Sequence, residues 1–194
     1  ALVPGITAYA LKVSAGILVN LALATLTAVA AEALMLALRK RPIAIAVTDL
    51  SAIVTAWLVA LCFPPIVPWW LTMLAVLVAI IVAKHLYGGL GQNPFNPAMV
   101  AYCSMIVAYP ALMSQWPAAG SLSFDTQLGL ILGGARDLDG MTGATALDAL
   151  RTGLRSGASS VEAVLQGSAF GFFGGRGWEW VSLGYLGGGL LLLA

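Results

Sequence analysis

The chain has 194 residues, of which 60% are hydrophobic and only 9% are charged, and its formal net charge is +1. Soluble domains carry roughly a quarter charged residues, because their surface must stay in contact with water. The composition therefore argues against a freely soluble domain and predicts that lipid or apolar protein covers most of the surface. The longest basic run is Arg39–Arg41, which gives no indication of nucleic-acid binding.

Three long stretches of the sequence contain no Asp, Glu, Lys or Arg between their charged ends. They run from Lys12 to Glu32, from Asp49 to Lys84 and from Lys84 to Asp125. A helix needs about 20 apolar residues to cross the hydrocarbon core of a bilayer, so each stretch has room for at least one crossing. We expect an all-α polytopic membrane protein with broken or re-entrant half-helices.

The first apolar stretch, beginning at residue 13, predicts a membrane helix that continues to about Leu38. Arg39–Arg41 follow it, and clustered Lys and Arg favour the cytoplasmic side, so we expect this helix to run inward. Residues 48–51 are typical of a helix start but lie inside an apolar region. They predict a broken crossing with a short helix over 50–62.

Prolines and glycines interrupt the next segments of the sequence. The three prolines of residues 64–68 predict a turn on the outer side, and Trp69 and Trp70 suit the membrane interface. We expect a helix over 71–83 to return inward. Residues 88–97, Gly-Gly-Leu-Gly-Gln-Asn-Pro-Phe-Asn-Pro, cannot form regular helix. Such backbone is tolerated at membrane depth only where protein or a wet cavity satisfies its polar groups.

The second half of the sequence changes character. A crossing over 98–113 is followed by 114–180, which holds six of the eight acids and four of the nine bases. Its apolar pieces, 128–132 and 161–173, are too short to span a bilayer alone, which predicts an extracytoplasmic or re-entrant segment. We therefore divide the chain into membrane helices of a first repeat (1–113), this segment (114–180) and the start of a further transmembrane helix (181–194).

The two ends of the sequence indicate a fragment of a longer protein. The first residue is Ala and not Met, and the last nine residues are apolar without a helix cap. We expect further helices on both sides.

Two matched landmarks indicate an internal repeat. Residues 49–56 share their Asp, Thr and Ala positions with residues 139–146, so that Thr55 is the partner of Thr145. Farther along, Gly-Gly-Leu-Gly at 88–91 matches Gly-Gly-Arg-Gly at 174–177. Membrane proteins often contain inverted repeats whose broken helices meet at a central site. The matches are short, so coincidence stays open as the alternative.

Residues 139–150 contain a turn that leads into a helix. Asp-Gly is a turn signal, and either Thr142 or Thr145 can serve as the N-cap, with Asp148 in the acidic position of a capping box. A functional interpretation uses the same geometry. A threonine at a helix start is open to reaction, and a phosphate attached there would lie against free N–H groups and the positive end of the helix dipole. Both interpretations can hold together.

Residues 139–145, Asp-Gly-Met-Thr-Gly-Ala-Thr, resemble the flavinylation motif Asp-Gly-x-Ser/Thr-Gly-Ala-Thr that flavin transferases read. In that motif the last threonine receives FMN through a phosphoester. The resemblance implies covalent FMN on Thr145, with the remaining motif residues as its recognition and binding positions: Asp139, Gly140, Thr142, Gly143 and Ala144. A second, non-covalent flavin such as riboflavin is left open.

Residues 84–99, from Lys-His-Leu-Tyr through Gly-Gln-Asn-Pro-Phe-Asn-Pro, resemble the signature of the D subunit of the Rnf electron-transport complex. That family is similar to the B subunit of the sodium-pumping NADH:quinone oxidoreductase. The likeness extends from residue 2 to residue 180. It implies a multi-pass subunit of the bacterial inner membrane that relays electrons through FMN between NADH and ferredoxin while Na⁺ or H⁺ moves. It also implies partner subunits A, B, C, E and G, a maturing flavin transferase, and Thr145 on the periplasmic side.

Two other functions remain as alternatives. Inverted repeats, half-helices and Asn-Pro motifs also suit a channel-like solute transporter. A structural membrane scaffold would use Thr145 only as a helix cap.

The remaining polar side chains receive more ordinary interpretations. We expect Glu32 at headgroup level and His85 at the interface, and we leave Asp49 open between a cap and a functional acid. Asn93 and Asn96 are expected to satisfy broken backbone, and Cys62 and Cys103 to be small buried residues. Three arginines are candidates to pair with a phosphate, although a solvated or acid-paired face is the simpler expectation: Arg151, Arg155 and Arg176.

Overall fold

A computed structural model describes residues 1–42, 48–89, 91–133, 142–156 and 160–193. These residues form α-helices, one π-helical segment and turns, without a β-strand. The expectation of an all-α chain is confirmed. The helices are α1 (Val3–Lys12), α2 (Gly16–Leu38), α3 (Ser51–Cys62), α4 (Trp69–Leu77), α5 (Pro97–Ala108), α6 (Pro110–Met113), α7 (Phe124–Ile131), α8 (Ala146–Arg155), α9 (Val161–Leu165) and α10 (Trp178–Leu190), with the π segment Val78–His85 directly after α4.

The chain separates into two compact units. The core unit comprises the described parts of Gly16–Gln115 and Leu128–Arg136. The terminal unit comprises the described parts of Ala1–Ala15, Trp116–Gln127 and Asp137–Ala194. The three-part division along the sequence, at residues 113 and 180, stays a prediction.

Within the core unit, α2 is the one helix of the described residues that is long and apolar enough to cross a bilayer by itself. It has 23 residues and ends at Leu38, as predicted, because the basic cluster and Pro42 follow. It begins at Gly16 and not at residue 13, since a turn separates it from α1. Three shorter apolar helical stretches are Ser51–Cys62, Trp69–His85 and Pro97–Ala108.

A buried polar contact fixes the turn between α3 and α4 against α2. The Asn20 side-chain amide donates to the carbonyl of Pro65 at 2.9 Å, and the Thr72 hydroxyl donates to Asn20 Oδ1 at 3.2 Å. Asn20 and Thr72 are completely buried. Because an unpaired buried amide costs free energy, these bonds hold the predicted turn in one position.

Two helices differ from their predicted boundaries. The helix expected over 71–83 begins at Trp69, directly after Pro68, and its second half widens into the π segment. There the Leu86 N–H bonds the carbonyl of Ile81, five residues back, at 3.0 Å. The crossing expected over 98–113 is interrupted at Tyr109, because Pro110 has no N–H to continue the helical bonds.

In the terminal unit, α1 and α10 cross in close contact through glycines. A Cβ on Gly5 would overlap the Tyr185 ring, and a Cβ on Gly184 would lie 2.8 Å from the Pro4 carbonyl oxygen. Small residues at a crossing let two backbones approach, which is typical of membrane helices. The α10 helix begins at Trp178, slightly before the predicted start at Val181.

Candidate functional site

Thr145, one of the two N-cap candidates of the sequence, is the N-cap of α8. Its backbone is extended (φ −68°, ψ 156°), and its hydroxyl accepts a hydrogen bond from the Asp148 N–H at 3.2 Å. The side chain is exposed. A helix leaves its first N–H groups without intrahelical partners, so the hydroxyl oxygen lies beside donors that suit an anion.

The α8 helix is supported by α9. A Cβ on Gly153 would lie 2.8 Å from Val164 Cγ1, so the two helices meet closely at this point. Ser160 caps α9 in the same way that Thr145 caps α8, by accepting from the Ala163 N–H at 3.2 Å. The sequence predicted an apolar piece over 161–173, but α9 ends at Leu165 and Phe172 is 90% exposed.

The loop between α9 and α10 is held by its own backbone bonds. The N–H of Arg176 donates to the Ala169 carbonyl at 3.0 Å, and the N–H of Gly171 donates to the Gly174 carbonyl at 2.7 Å. Glu179 accepts from the Phe173 N–H at 3.0 Å. These bonds fix the loop, and with it the position of Arg176.

A cavity of about 660 Å³ opens beside Thr145 within the terminal unit. Trp116 and Trp178 contribute aromatic walls, with ring centroids 5.9 Å apart, and Arg176 contributes a cation. The remaining wall comes from backbone and small side chains of residues 117–121, 143–147, 168–169 and Gly175.

Gly143 closes the cavity wall at a point where no side chain fits. Its N–H donates to the Trp116 carbonyl at 2.8 Å, and a Cβ on it would lie 2.7 Å from the backbone nitrogen of Ala118. The segment before Thr145 is therefore pressed against the segment after Trp116.

The residues present fit a flavin mononucleotide. Cofactor pockets of about 300–1,000 Å³ with mostly apolar walls and a few polar groups are usual, and this cavity has that size and lining. A hydroxyl, a helix N-terminus and an arginine suit a phosphate, while two tryptophans suit an aromatic ring system.

The cavity brings together some of the predicted site residues. Gly143, Ala144, Thr145 and Arg176 line it. Thr142 is exposed directly before them. Asp139 and Gly140 lie outside the described residues. Arg151 and Arg155 are exposed on α8, which agrees with the expectation of a solvated face. The sequence did not indicate Trp116 or Trp178, whose role depends on contacts between distant segments.

Glu32 and His85 are buried together and in contact with each other. Both are buried to 2% exposure in the core unit, whereas their expected depth at the headgroups or the interface stays a prediction. Glu32 Oε1 pairs with Lys84 Nζ at 2.9 Å, and Glu32 Oε2 lies 3.0 Å from His85 Nε2. The packing of α2 on the π segment removes the acid and both bases from the surface together, and Glu32 pairs there with Lys84.

The asparagines behave as expected, whereas one cysteine does not. The Asn93 amide donates to the Phe95 carbonyl, and the Asn96 side chain caps α5 by accepting from the N–H groups of Ala98 and Met99. Cys103 is exposed, contrary to the expected burial, and Cys62 is half-buried.

The repeat partner of Thr145 has a different local structure. Thr55 lies inside α3, and its hydroxyl donates to the Ser51 carbonyl at 2.9 Å. Thr145 precedes its helix. The internal repeat and its inversion stay predictions, since Asp139 lies outside the described residues.

The described residues thus combine an all-helical fold, one helix long and apolar enough to cross a membrane, and a cofactor-sized cavity at a capped threonine, as expected of an α-helical membrane protein with a cofactor site. A family model described as "NQR2, RnfD, RnfE family" matches residues 1–194, and the chain belongs to this family. The resemblance drawn from the two motifs is thereby confirmed at the level of the family.

Curated relatives agree with this assignment. The D subunit of the ion-translocating oxidoreductase complex from Vibrio vulnificus (strain YJ016) is 46% identical over 98% of this chain and 60% of its own length. The protein of the same name from Ectopseudomonas mendocina (strain ymp) is 49% identical over 100% of this chain and 56% of its own length. The chain thus spans somewhat more than half of the relatives it matches.

Proposed function

We propose that this chain is part of an electron-carrying membrane subunit of an ion-translocating oxidoreductase complex of the Rnf type, with FMN joined to Thr145 by a phosphoester. The observation that carries the proposal is the cavity beside the Thr145 hydroxyl, at the end of a flavinylation-like motif. The names of the relatives support the oxidoreductase and ion-translocating parts of the proposal.

Each residue of the site has a role that follows from its chemistry. The Thr145 hydroxyl supplies the ester oxygen. The first turn of α8 places N–H groups and the positive end of its dipole beside the phosphate, and Arg176 adds a cation on the cavity wall. Trp116 and Trp178 provide apolar walls that exclude water. When bound, FMN supplies the capacity to accept and release electrons.

The wider setting belongs to the same proposal. The subunit lies in the bacterial inner membrane with Thr145 on the periplasmic side, where a flavin transferase can reach it. Subunits A, B, C, E and G are its partners, and electrons pass between NADH and ferredoxin while Na⁺ or H⁺ moves. Coupling has a simple electrostatic basis, because added negative charge near an apolar medium is costly unless a cation or proton offsets it.

Substitution of Thr145 tests the attachment. In Thr145→Asn the asparagine retains an N-cap but offers no hydroxyl, so we expect α8 to persist and the covalent flavin to be lost completely. The measurement is flavin fluorescence in a denaturing gel of the full-length subunit made with its flavin transferase, and mass spectrometry of the peptide that contains Thr145.

Ser160→Ala is the matched control. It removes the corresponding cap of α9, at a cost of about 1 kcal/mol, and leaves Thr145 intact, so the flavin signal should remain. An unmodified Thr145 peptide in protein from the native host would contradict the proposal. A colourless native protein that conducts a solute would favour a channel instead.

A further inference from the structure

Trp178 lies in the wall of the cavity beside Thr145 and is the first residue of α10. It is 37% exposed, whereas Trp116, the other tryptophan of the wall, is half-buried. A large apolar ring with this much free surface in a cofactor-sized cavity suits a flat aromatic ligand, because covering the ring removes apolar surface from water.

Two aromatic rings fix the orientation of the Trp178 indole. The Tyr9 ring centroid lies 5.2 Å from that of Trp178, and the Trp116 centroid lies 5.9 Å from it. Centroid separations of about 4.5–7 Å are those of attractive aromatic pairs. Tyr9 is 2% exposed and is not a residue of the cavity wall. It therefore supports the indole from behind and leaves the cavity side of Trp178 open.

The backbone before Trp178 gives the indole a rigid base. Gly177, the N-cap of α10, has a φ of +81°, which favours glycine. A Cβ on Gly177 would lie 2.9 Å from the Lys12 carbonyl oxygen and 2.9 Å from Ala119 Cβ, so no side chain fits there. A binding residue at the start of a closely packed helix holds its ligand more precisely than a residue on a free loop.

The same short segment serves both ends of a flavin mononucleotide. FMN has a phosphate at one end and an aromatic ring system at the other. Arg176 and Trp178 are two residues apart and line the same cavity as Thr145. One segment thus offers a cation that suits the phosphate and an indole that suits the ring.

We propose that Trp178 holds the flavin ring by stacking and lowers its reduction potential. The role of Trp178 rests on the proposed function, because it needs FMN on Thr145. The face of an aromatic ring is negative, and reduction adds electron density to the flavin. An indole face against the ring therefore disfavours the reduced flavin relative to the oxidised one, which is a way in which neighbouring residues tune a cofactor. The indole itself is neither oxidised nor reduced.

A redox titration of the full-length subunit, made with its flavin transferase, tests this role. Leucine is apolar but has no aromatic face, so the midpoint potential of the covalent flavin should rise in Trp178→Leu. Trp178→Phe keeps a smaller ring and should give an intermediate potential. The titration is followed by flavin absorbance, and Thr145→Asn serves as the blank for any flavin that is not covalently bound.

Flavin emission is a second readout that does not depend on the potential. An indole in contact with an excited flavin donates an electron to it and then recovers that electron, which quenches the emission. The ratio of native to denatured emission should therefore be low in the unchanged subunit and severalfold higher in Trp178→Leu. The denatured sample also reports how much flavin is attached, so attachment and stacking are measured separately.

Trp180→Leu is the matched control. Trp180 lies on the same helix and is 48% exposed, but it is not a residue of the cavity wall, and Lys12 Nζ lies 5.8 Å from its ring centroid. Its replacement should change neither the potential nor the emission ratio. Trp178→Phe keeps a ring against Tyr9, so it preserves the test if Trp178→Leu lowers the yield of folded subunit.

Three results would overturn the role of Trp178 and leave the proposed function intact. They are attached flavin with the same potential and emission ratio in Trp178→Leu as in the unchanged subunit, a potential that falls in Trp178→Leu, and equal shifts in Trp178→Leu and Trp180→Leu. Flavin missing from the unchanged subunit would instead overturn the proposed function, and the role of Trp178 with it.

Discussion

At Thr145 one hydroxyl serves local structure and offers a site for chemistry. The cap of α8 was predictable, because the helix-start preference of threonine and the position of Asp148 are local signals. The walls of the cavity were not predictable, because Trp116 lies 29 residues before Thr145 and Trp178 lies 33 residues after it. Likewise, the ion pair of Glu32 joins residues separated by 52 positions, so only the rarity of an acid in an apolar helix hinted at it.

Gly143 is the residue at which a single methyl group should disturb the site. In Gly143→Ala the new Cβ would press on the backbone of Ala118 at 2.7–2.8 Å, so the cavity wall must shift. We expect a severalfold lower yield of covalent flavin and a lower melting temperature of the full-length subunit. In Gly174→Ala the Cβ meets nothing within 4 Å, and neither quantity should change. Equal effects of the two substitutions would contradict the role assigned to Gly143.

At the scale of elements, the sequence predicted which segments are helical better than where they end. The short helix over 50–62, the turn over 64–68 and the irregular segment over 88–97 all follow from proline, glycine and cap residues, and the described residues of these segments agree. The π segment and the approach of α1 to α10 depend on packing between helices. No local preference encodes either of them.

The α1–α10 crossing should be sensitive to side-chain volume on one face only. Gly184→Leu would force a side chain against the backbone of Pro4 and Gly5, whereas a Cβ on Gly187 meets nothing within 4 Å. Overpacking costs about 1–3 kcal/mol, so Gly184→Leu should lower the midpoint of thermal unfolding in detergent and Gly187→Leu should not. Similar midpoints for the two variants would show that the helices do not meet through Gly184.

At the scale of the whole molecule, the apolar composition indicated a membrane protein before any element was placed. The family assignment and α2 agree with it. The number of crossings was not predictable from charge spacing alone, because apolar stretches between charges divide into helices too short to span singly.

Two exposed leucines provide a test of which surfaces face lipid and which face water. Leu26, near the middle of α2, is 70% exposed, and Leu147, on α8, is 77% exposed. A lysine at the centre of a membrane helix costs about 2.5–3.5 kcal/mol, so Leu26→Lys should sharply reduce the amount of subunit recovered in the membrane fraction. Leu147→Lys should be tolerated, because the proposed function places α8 in water. Equal recovery of the two variants would place both helices in the same environment.

The π segment determines the direction in which the side chains after it point around the helix axis. Its bonds reach back five residues and not four, as between Leu86 and Ile81, so its turns are wider than those of α4. Because the wider turns hold about one extra residue, removing one residue there would restore ordinary helical winding and leave Lys84 and His85 facing Glu32. A single deletion within α4, with the π segment unchanged, would instead turn both bases about 100° around the axis and away from their acid.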